Sequence, residues 1–280
     1  MAQSSSTLVK IAPTLATPPS TSGPQTYALF VGMANGHPDG YLFGVEGDLP
    51  LVVDELAARS TKTVSVITDL TVQVTGDGAR ALPPTLQCVK NTIEEVGQAL
   101  GPGDILYVYV GGHIEVENEE TSFMPLPNEE RLYGNVLGSW LKAAAGRGGT
   151  ITAVVDVCHS TAFLKMPVVY DVKTDGSLYH PNSEAREAQG REGHVIIISS
   201  TECGQLARSV GIDQGKYVGS HGFFTWLFFN YIQKKSGPVD TAGLLLYLRK
   251  QCNWHEQKPR PQISATTAGL RQLPIGRPSS

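Results

Sequence analysis

The sequence predicts an α/β protein with a mainly parallel sheet and helices on both faces, and two observations lead there. Apolar, β-rich runs such as Ile105-Leu106-Tyr107-Val108-Tyr109-Val110 and Ile151-Thr152-Ala153-Val154-Val155 lack polar alternation. Such runs read as strands buried on both faces of a sheet. Segments with apolar residues at helical spacing alternate with them, the pattern of repeated βα units. At 280 residues the chain is long enough for one large core.

The elements follow in order. Residues 1–25 are rich in Ser, Thr, Pro and Ala and read as a disordered tail, because they bury too little surface to offset ordering entropy. A first strand is expected at Tyr27-Ala28-Leu29-Phe30-Val31, a helix over 51–59 and a strand over 63–67. Leu86, Val89, Ile93, Val96 and Leu100 recur at helical spacing after Pro83-Pro84, a suitable helix start. The run ending at Val110, a helix over 136–145 and the run ending at Val155 come next. Residues 167–193 are polar and lie between two core strands, where a long structureless insert is usually functional or mobile. Val195-Ile196-Ile197-Ile198, helices over 223–233 and 242–251, and a last strand at Gln262-Ile263-Ser264-Ala265 complete the series. The expected domain therefore spans 26–270, with a second tail at 271–280.

Composition excludes several classes. A hydrophobic content of 41%, a charged content of 17% and a net charge of −4 are ordinary for a globular protein and argue against nucleic acid as a partner. No run reaches the roughly 18 apolar residues of a membrane span. The N-terminus lacks the layout of a secretory signal, so a cytoplasmic location is expected. Cys88, Cys158, Cys203 and Cys252 form no C-x-x-C pair, so reduced thiols are expected rather than a disulfide framework or a structural zinc.

Chemistry concentrates at two strand ends. Gly111-Gly112-His113 follows the first apolar run and Asp156-Val157-Cys158-His159-Ser160 the second. Reactive groups of open α/β sheets sit just past the carboxyl ends of strands. Forty-five residues separate His113 from Cys158, room for one helix and one crossover between neighbouring parallel strands. Side by side, the two would form a thiolate–imidazole pair, with His113 as general acid–base. The plainer alternatives are a core thiol at 158 and an exposed loop histidine at 113. His159 competes for the base role, but a neighbour on an extended strand end points away from Cys158.

These residues carry a resemblance. The chain resembles the caspase-like cysteine peptidases, and metacaspases most closely, from Tyr27 to Thr267. Gly111-Gly112-His113-Ile114 sits where metacaspases carry S-G-H-G, and Asp156-Val157-Cys158-His159-Ser160-Thr161 where they carry D-S-C-H-S-G. The stretch Leu42-Phe43-Gly44-Val45-Glu46-Gly47-Asp48 is similar to their L-x-G-C-x-N-D. Pro102-Gly103-Asp104, Ile198-Ser199 with Gln205, and the run from Gln257 to Ser264 are similar to further landmarks.

The resemblance implies a caspase-like three-layer sandwich with a mostly parallel six-stranded sheet flanked by helices. It implies an endopeptidase in which Cys158 attacks the scissile carbonyl and the backbone N–H groups of Cys158 and Ile114 form the oxyanion hole. Asp156 and Asp48 would make an acidic pocket (S1) favouring Arg or Lys before the cut bond. A unit charge at contact distance contributes roughly 4 kcal/mol at an effective dielectric near 20, less desolvation. The plain alternative for Asp156 is a strand-end cap. Gly111 in place of serine removes one hydroxyl from that pocket. Self-cleavage in the polar insert is implied, with Lys165, Lys173, Arg186 and Arg191 as candidates.

No cofactor is required for this chemistry. Metacaspases commonly bind Ca²⁺, but the usual carboxylate positions correspond here to Gly134-Asn135. Glu115, Glu117, Glu119 and Glu120 form an acidic run nearby, which usually means a solvated loop. Expected partners are protein or peptide substrates with basic residues, and a monomer is expected. The changes at Gly111, Ile114, Val157, Thr161 and Gly134-Asn135 motivate the alternative of a catalytically weakened regulatory or interaction module.

Overall fold

The computed structural model of the chain describes residues 8–16, 23–35, 40–118, 121–164, 166–173, 176–179, 193–253 and 258–275. The first third holds β1 (Val9–Ile11), β2 (Thr26–Gly32), α1 (Phe43–Ala57), β3 (Val64–Thr68), β4 (Val72–Val74), β5 (Ala79–Leu82) and α2 (Leu86–Ala99). Next come β6 (Ile105–Gly112), β7 (Glu115–Asn118), β8 (Thr121–Pro125), β9 (Arg131–Tyr133), α3 (Gly134–Ala145), β10 (Thr150–Val157) and α4 (Ser160–Phe163). After these lie β11 (Val168–Val172), β12 (Leu178–Tyr179), β13 (His194–Ser199), β14 (Ser209–Ile212) and β15 (Gly219–Gly222). Finally come α5 (Phe223–Ile232), β16 (Val239–Asp240), α6 (Thr241–Cys252), β17 (Gln262–Ala265) and β18 (Gln272–Leu273).

A single mixed sheet carries the fold, in the order β12-β11-β17-β13-β10-β6-β2-β3-β5. The six strands from β13 to β5 are parallel, and β17, β11 and β12 join antiparallel. Each apolar strand faces two cores at once. On β6, Tyr107 and Tyr109 enter the core made with α1, α5 and α6, whereas Leu106, Val108 and Val110 enter the core made with α2 and α3. Period-two alternation of this kind, with apolar residues on both faces, produces the unbroken hydrophobic runs. Each fully buried aliphatic side chain contributes ~1.5–3 kcal/mol, so the two cores hold the layers together.

Helix starts follow local chemistry. Thr85, rather than the preceding prolines, caps α2: its hydroxyl accepts from the Cys88 N–H at 3.2 Å, satisfying one of the orphan donors of the first turn. Asp104, in the Pro-Gly-Asp landmark, accepts from the N–H groups of Gln25 (2.7 Å) and Gly101 (2.9 Å). It thereby ties the start of β2 to the start of β6.

Four expectations are corrected. The sheet has nine strands rather than six, because β5 extends one edge and β11 and β12 the other. The expected N-terminal tail contributes β1, which pairs in parallel with β4 and buries Ile11; the alternation Val9-Lys10-Ile11 puts Val9 and Ile11 against the α1-side core and Lys10 outside. The expected C-terminal tail belongs to the domain through residue 275. Leu273 and Ile275 are buried, Tyr107 donates to Pro274 O at 2.7 Å and Arg59 Nε to Ile275 O at 2.8 Å. The polar insert is structured at its start, where Val168–Val172 pairs with β17; residues 180–192 lie outside the described residues.

Helix α1 begins at Phe43, eight residues before the expected start, and runs through Pro50. Its glycines let backbone meet backbone. A Cβ on Gly47 would collide with Ser220 O, and one on Gly44 would lie 3.3 Å from Gly222 N, so β15 rests directly on this face of α1. Gly47→Ala is expected to destabilise the fold by about 1–3 kcal/mol, measured by urea unfolding. An unchanged midpoint would contradict this contact.

Candidate active site

The pairing of β6 with β10 brings the two strand ends level. The register ends at Asp156↔Gly111 and Val157↔Gly112, so Cys158 and His113 each follow the last paired residue. Both line one cleft of about 370 Å³, together with Ile114, Asp48, Tyr109, Asp156 and Arg208. Gly112, at φ +151°, would place a Cβ 3.0 Å from Met33 O. Glycine is therefore needed where β6 turns out into the cleft.

Cys158 is half-buried and free of disulfide. Its sulfur accepts from the Ala207 N–H at 3.3 Å. Burial pushes the thiol above its ordinary value and the Asp156 charge adds to this; the Ala207 N–H and Arg208 act in the opposite direction without cancelling it. His159 is engaged elsewhere. At φ +52°, its N–H donates to Gln205 O at 2.9 Å and its Nδ1 accepts from Gly204 N at 3.0 Å. Its role is to hold the loop that carries Ala207. Gln205 fastens that loop again, since its Oε1 accepts from Glu202 N (3.0 Å) and Arg260 N (2.8 Å).

The two aspartates meet below the cleft. Asp156 and Asp48 are both buried, and a Cβ on Gly222 would touch the Oδ2 atoms of both. Asp156 Oδ2 accepts from Thr225 Oγ1 at 2.7 Å and Thr225 N at 3.1 Å. Its Oδ1 has no hydrogen-bond partner among the described residues; the nearby Ser200 hydroxyl donates to Val157 O at 3.2 Å. Burial holds the Asp156 carboxyl above its ordinary range, against the opposing pull of Thr225 and of the nearby Ser200 hydroxyl. Asp48 is pushed up to about 6, first by burial and then by the Asp156 charge, against the opposing hydrogen bonds of His221 and Tyr109. An anion is costly where water is excluded, and a cation entering the cleft would relieve that cost.

Tyr109, Thr225 and His221 were not singled out by the sequence reasoning. Tyr109 donates to Asp48 Oδ2 at 3.0 Å and reads in the sequence as one more core aromatic. A Cβ at Gly111 would lie 2.7 Å from the Tyr109 ring, so the glycine makes room for the ring. The hydroxyl beside Asp48 at this wall is that of Tyr109. Thr225, inside an otherwise aromatic helix start, and His221, in Ser220-His221-Gly222, are the polar interruptions that could have signalled this floor.

The remaining candidates are dispersed. Ile114 is 3% exposed, packed in the α2–α3 core beside the cleft. Lys173 is exposed at the β11–β12 turn, where its N–H donates to Ser177 O at 2.9 Å; Lys165, Arg186 and Arg191 lie outside the described residues. At the expected calcium position a Cβ on Gly134 would collide with Phe163 O. A side chain at 134 would therefore need a backbone shift, whereas Asn135 is exposed. Among the described residues no cluster of three or more His, Cys, Asp or Glu is arranged to hold a metal. Glu117 in the acidic run pairs with Arg131 at 2.5 Å on the surface, and Glu119 and Glu120 lie outside the described residues.

Comparison with known proteins defines the fold. No family model matches the chain, and no curated protein matches its sequence. A caspase-1 structure from Spodoptera frugiperda matches 91% of this chain and 93% of its own, with a TM-score of 0.53 and 12% identity. A structural-genomics protein of Geobacter sulfurreducens matches 91% of this chain and all of its own, with a TM-score of 0.58 and 17% identity. The chain has a caspase-like α/β fold. Among the described residues no helix is long and apolar enough to cross a membrane.

Removing the Asp156 charge favours the thiolate of Cys158, because an anion nearby opposes a second one. The midpoint of the iodoacetamide rate–pH profile at Cys158 is expected to move to lower pH in Asp156→Asn. A midpoint that stays or rises would contradict this coupling between the two groups.

Proposed function

We propose that the protein is a cysteine endopeptidase of the metacaspase type, cutting peptide bonds after Arg or Lys. The reading rests on one observation above all: His113 and Cys158 emerge one residue past the last register pair of adjacent parallel strands, onto a shared cleft. In the proposed reaction His113 takes the Cys158 proton and the sulfur attacks the scissile carbonyl carbon. The resulting oxyanion is held by the N–H groups of Cys158 and Ile114. The C–N bond breaks as His113 returns the proton to the leaving amine, and water activated by His113 then releases the acyl group. The substrate side chain before the cut would descend toward Asp156 and Asp48, where Asp156 Oδ1 has no hydrogen-bond partner among the described residues. Self-cleavage in the polar insert, action as a cytoplasmic monomer, and protein or peptide substrates complete the proposal.

A second reading has one observation in its favour. The Cys158 thiol is held above its ordinary value, which leaves less thiolate at neutral pH than an activated nucleophile has. A caspase-like module with weakened catalysis, serving regulation or interaction, would carry such a thiol.

Hydrolysis of fluorogenic peptides ending in Arg, Lys or Asp, with and without Ca²⁺, distinguishes the readings. Turnover of Arg and Lys peptides is expected, falling roughly 10⁴-fold or more in Cys158→Ala and about 10²- to 10⁴-fold in His113→Ala. Turnover of the Asp peptide alone would refute the acidic pocket. No turnover of any peptide would favour the weakened module. Intact mass of the wild type beside Cys158→Ala reads self-cleavage: fragments persisting in the alanine variant would exclude it.

A further inference from the structure

The hydrogen-bond accounting around His221 assigns different jobs to the two pocket aspartates. His221 is buried beside Gly47 of α1, with Trp226 of α5 packed on its ring at 5.3 Å. Its Nε2 lies 3.1 Å from Tyr217 O, and its Nδ1 lies 3.1 Å from Asp48 Oδ1. A backbone carbonyl can only accept, so Nε2 must carry a proton. The Nδ1–Oδ1 contact then also needs one proton, because two lone pairs facing each other at that distance in a dry interior repel. If it sits on Nδ1, the pair is imidazolium and carboxylate; if it sits on Oδ1, the pair is imidazole and carboxylic acid. The net charge is zero in both cases.

The rest of Asp48 is equally occupied. Its Oδ2 accepts from Tyr109 at 3.0 Å, and the Gly222 N–H lies 3.1 Å from both of its oxygens. Asp156 is the neighbouring charge, reached from β10; among the described residues its Oδ1 has no hydrogen-bond partner, the nearby Ser200 hydroxyl donating to Val157 O.

We propose that His221 and Asp48 share one proton as an electrically neutral couple, leaving Asp156 to read a cationic side chain in the pocket. The proposal deepens the peptidase reading and rests on it for the substrate side chain. His221 is a positioning residue: it fixes the floor and cancels a charge without touching substrate.

Two measurements test it on the full chain. In Cys158→Ala protein labelled with ¹⁵N, long-range imidazole spectra at neutral pH report each ring nitrogen, the His221 signals being those lost in His221→Gln. A protonated Nε2 is expected; a bare Nε2 overturns the couple, because His221 would then leave the Asp48 charge uncancelled. The second measurement compares cleavage after Arg with cleavage after citrulline, its neutral isostere. Asp156→Asn is expected to lower that preference by roughly tenfold or more, as removal of a contact charge in a partly dry site should. Asp48→Asn reproduces the neutral couple, since its amide donates to Nδ1 and its oxygen accepts from Tyr109 and Gly222. It is expected to lower turnover while changing the preference less than about threefold, well under the contribution of one contact charge. Equal collapse in both variants overturns the proposal. A wild type that cleaves neither peptide refutes the peptidase reading, and the ring spectra then decide the couple alone.

Discussion

Parallel pairing of β6 with β10 is the constraint on which the site depends. A parallel ladder fixes strands level with each other, and this one ends with Gly112 opposite Val157. The residue that follows each strand end is a histidine in one case and a cysteine in the other. Their proximity thus comes from a register held by two cores, through Val108 and Val155 on one face and Tyr109 and Val154 on the other, and not from a loop. Side chains that directly follow such strand ends are positioned more accurately than side chains on long loops.

A second constraint acts one layer out. The hairpin of β14 and β15 approaches α1 at Gly44 and Gly47, so Asp48 of α1 faces His221 and Gly222 of β15 with no intervening side chains. The α5 helix begins immediately after and brings Thr225 to Asp156. Four segments far apart in sequence therefore converge on two carboxylates. The cost of excluding water from those carboxylates is met by donors on neighbouring elements, except, among the described residues, at Asp156 Oδ1.

How much of this was legible in the sequence depended on hydrophobic pattern. β2, β6, β10 and β13 stand out because burial on both faces leaves nearly unbroken apolar runs, β3 and β17 carry shorter signals interrupted by Ser65 and Ser264, and α2 stands out because one face is apolar. The edge strand β5, the β7–β9 ribbon and the β14–β15 hairpin carry polar residues on at least one side and gave no such signal. At α1 the reading started late, since Gly44, Gly47 and Pro50 disfavour helix, and tertiary packing of Val45, Leu49 and Val52 overrode that preference. For the site, His113 and Cys158 were nameable because each follows a buried strand, and Asp156 and Asp48 because the resemblance implies a pocket at their positions. Tyr109 and His221 were not, because their importance lies in hydrogen bonds to residues 61 and 173 positions away.

The contact between Gly111 and the Tyr109 ring joins two positions into one choice. A side chain at 111 would occupy the space in which the phenol lies, so a polar group can reach Asp48 from one position or from the other. Sequences that build this floor with serine at the later position should carry a slimmer residue two places earlier. Exchanging either residue alone would leave the pocket wall overfilled or missing its hydroxyl, whereas exchanging both together would pass from one solution to the other.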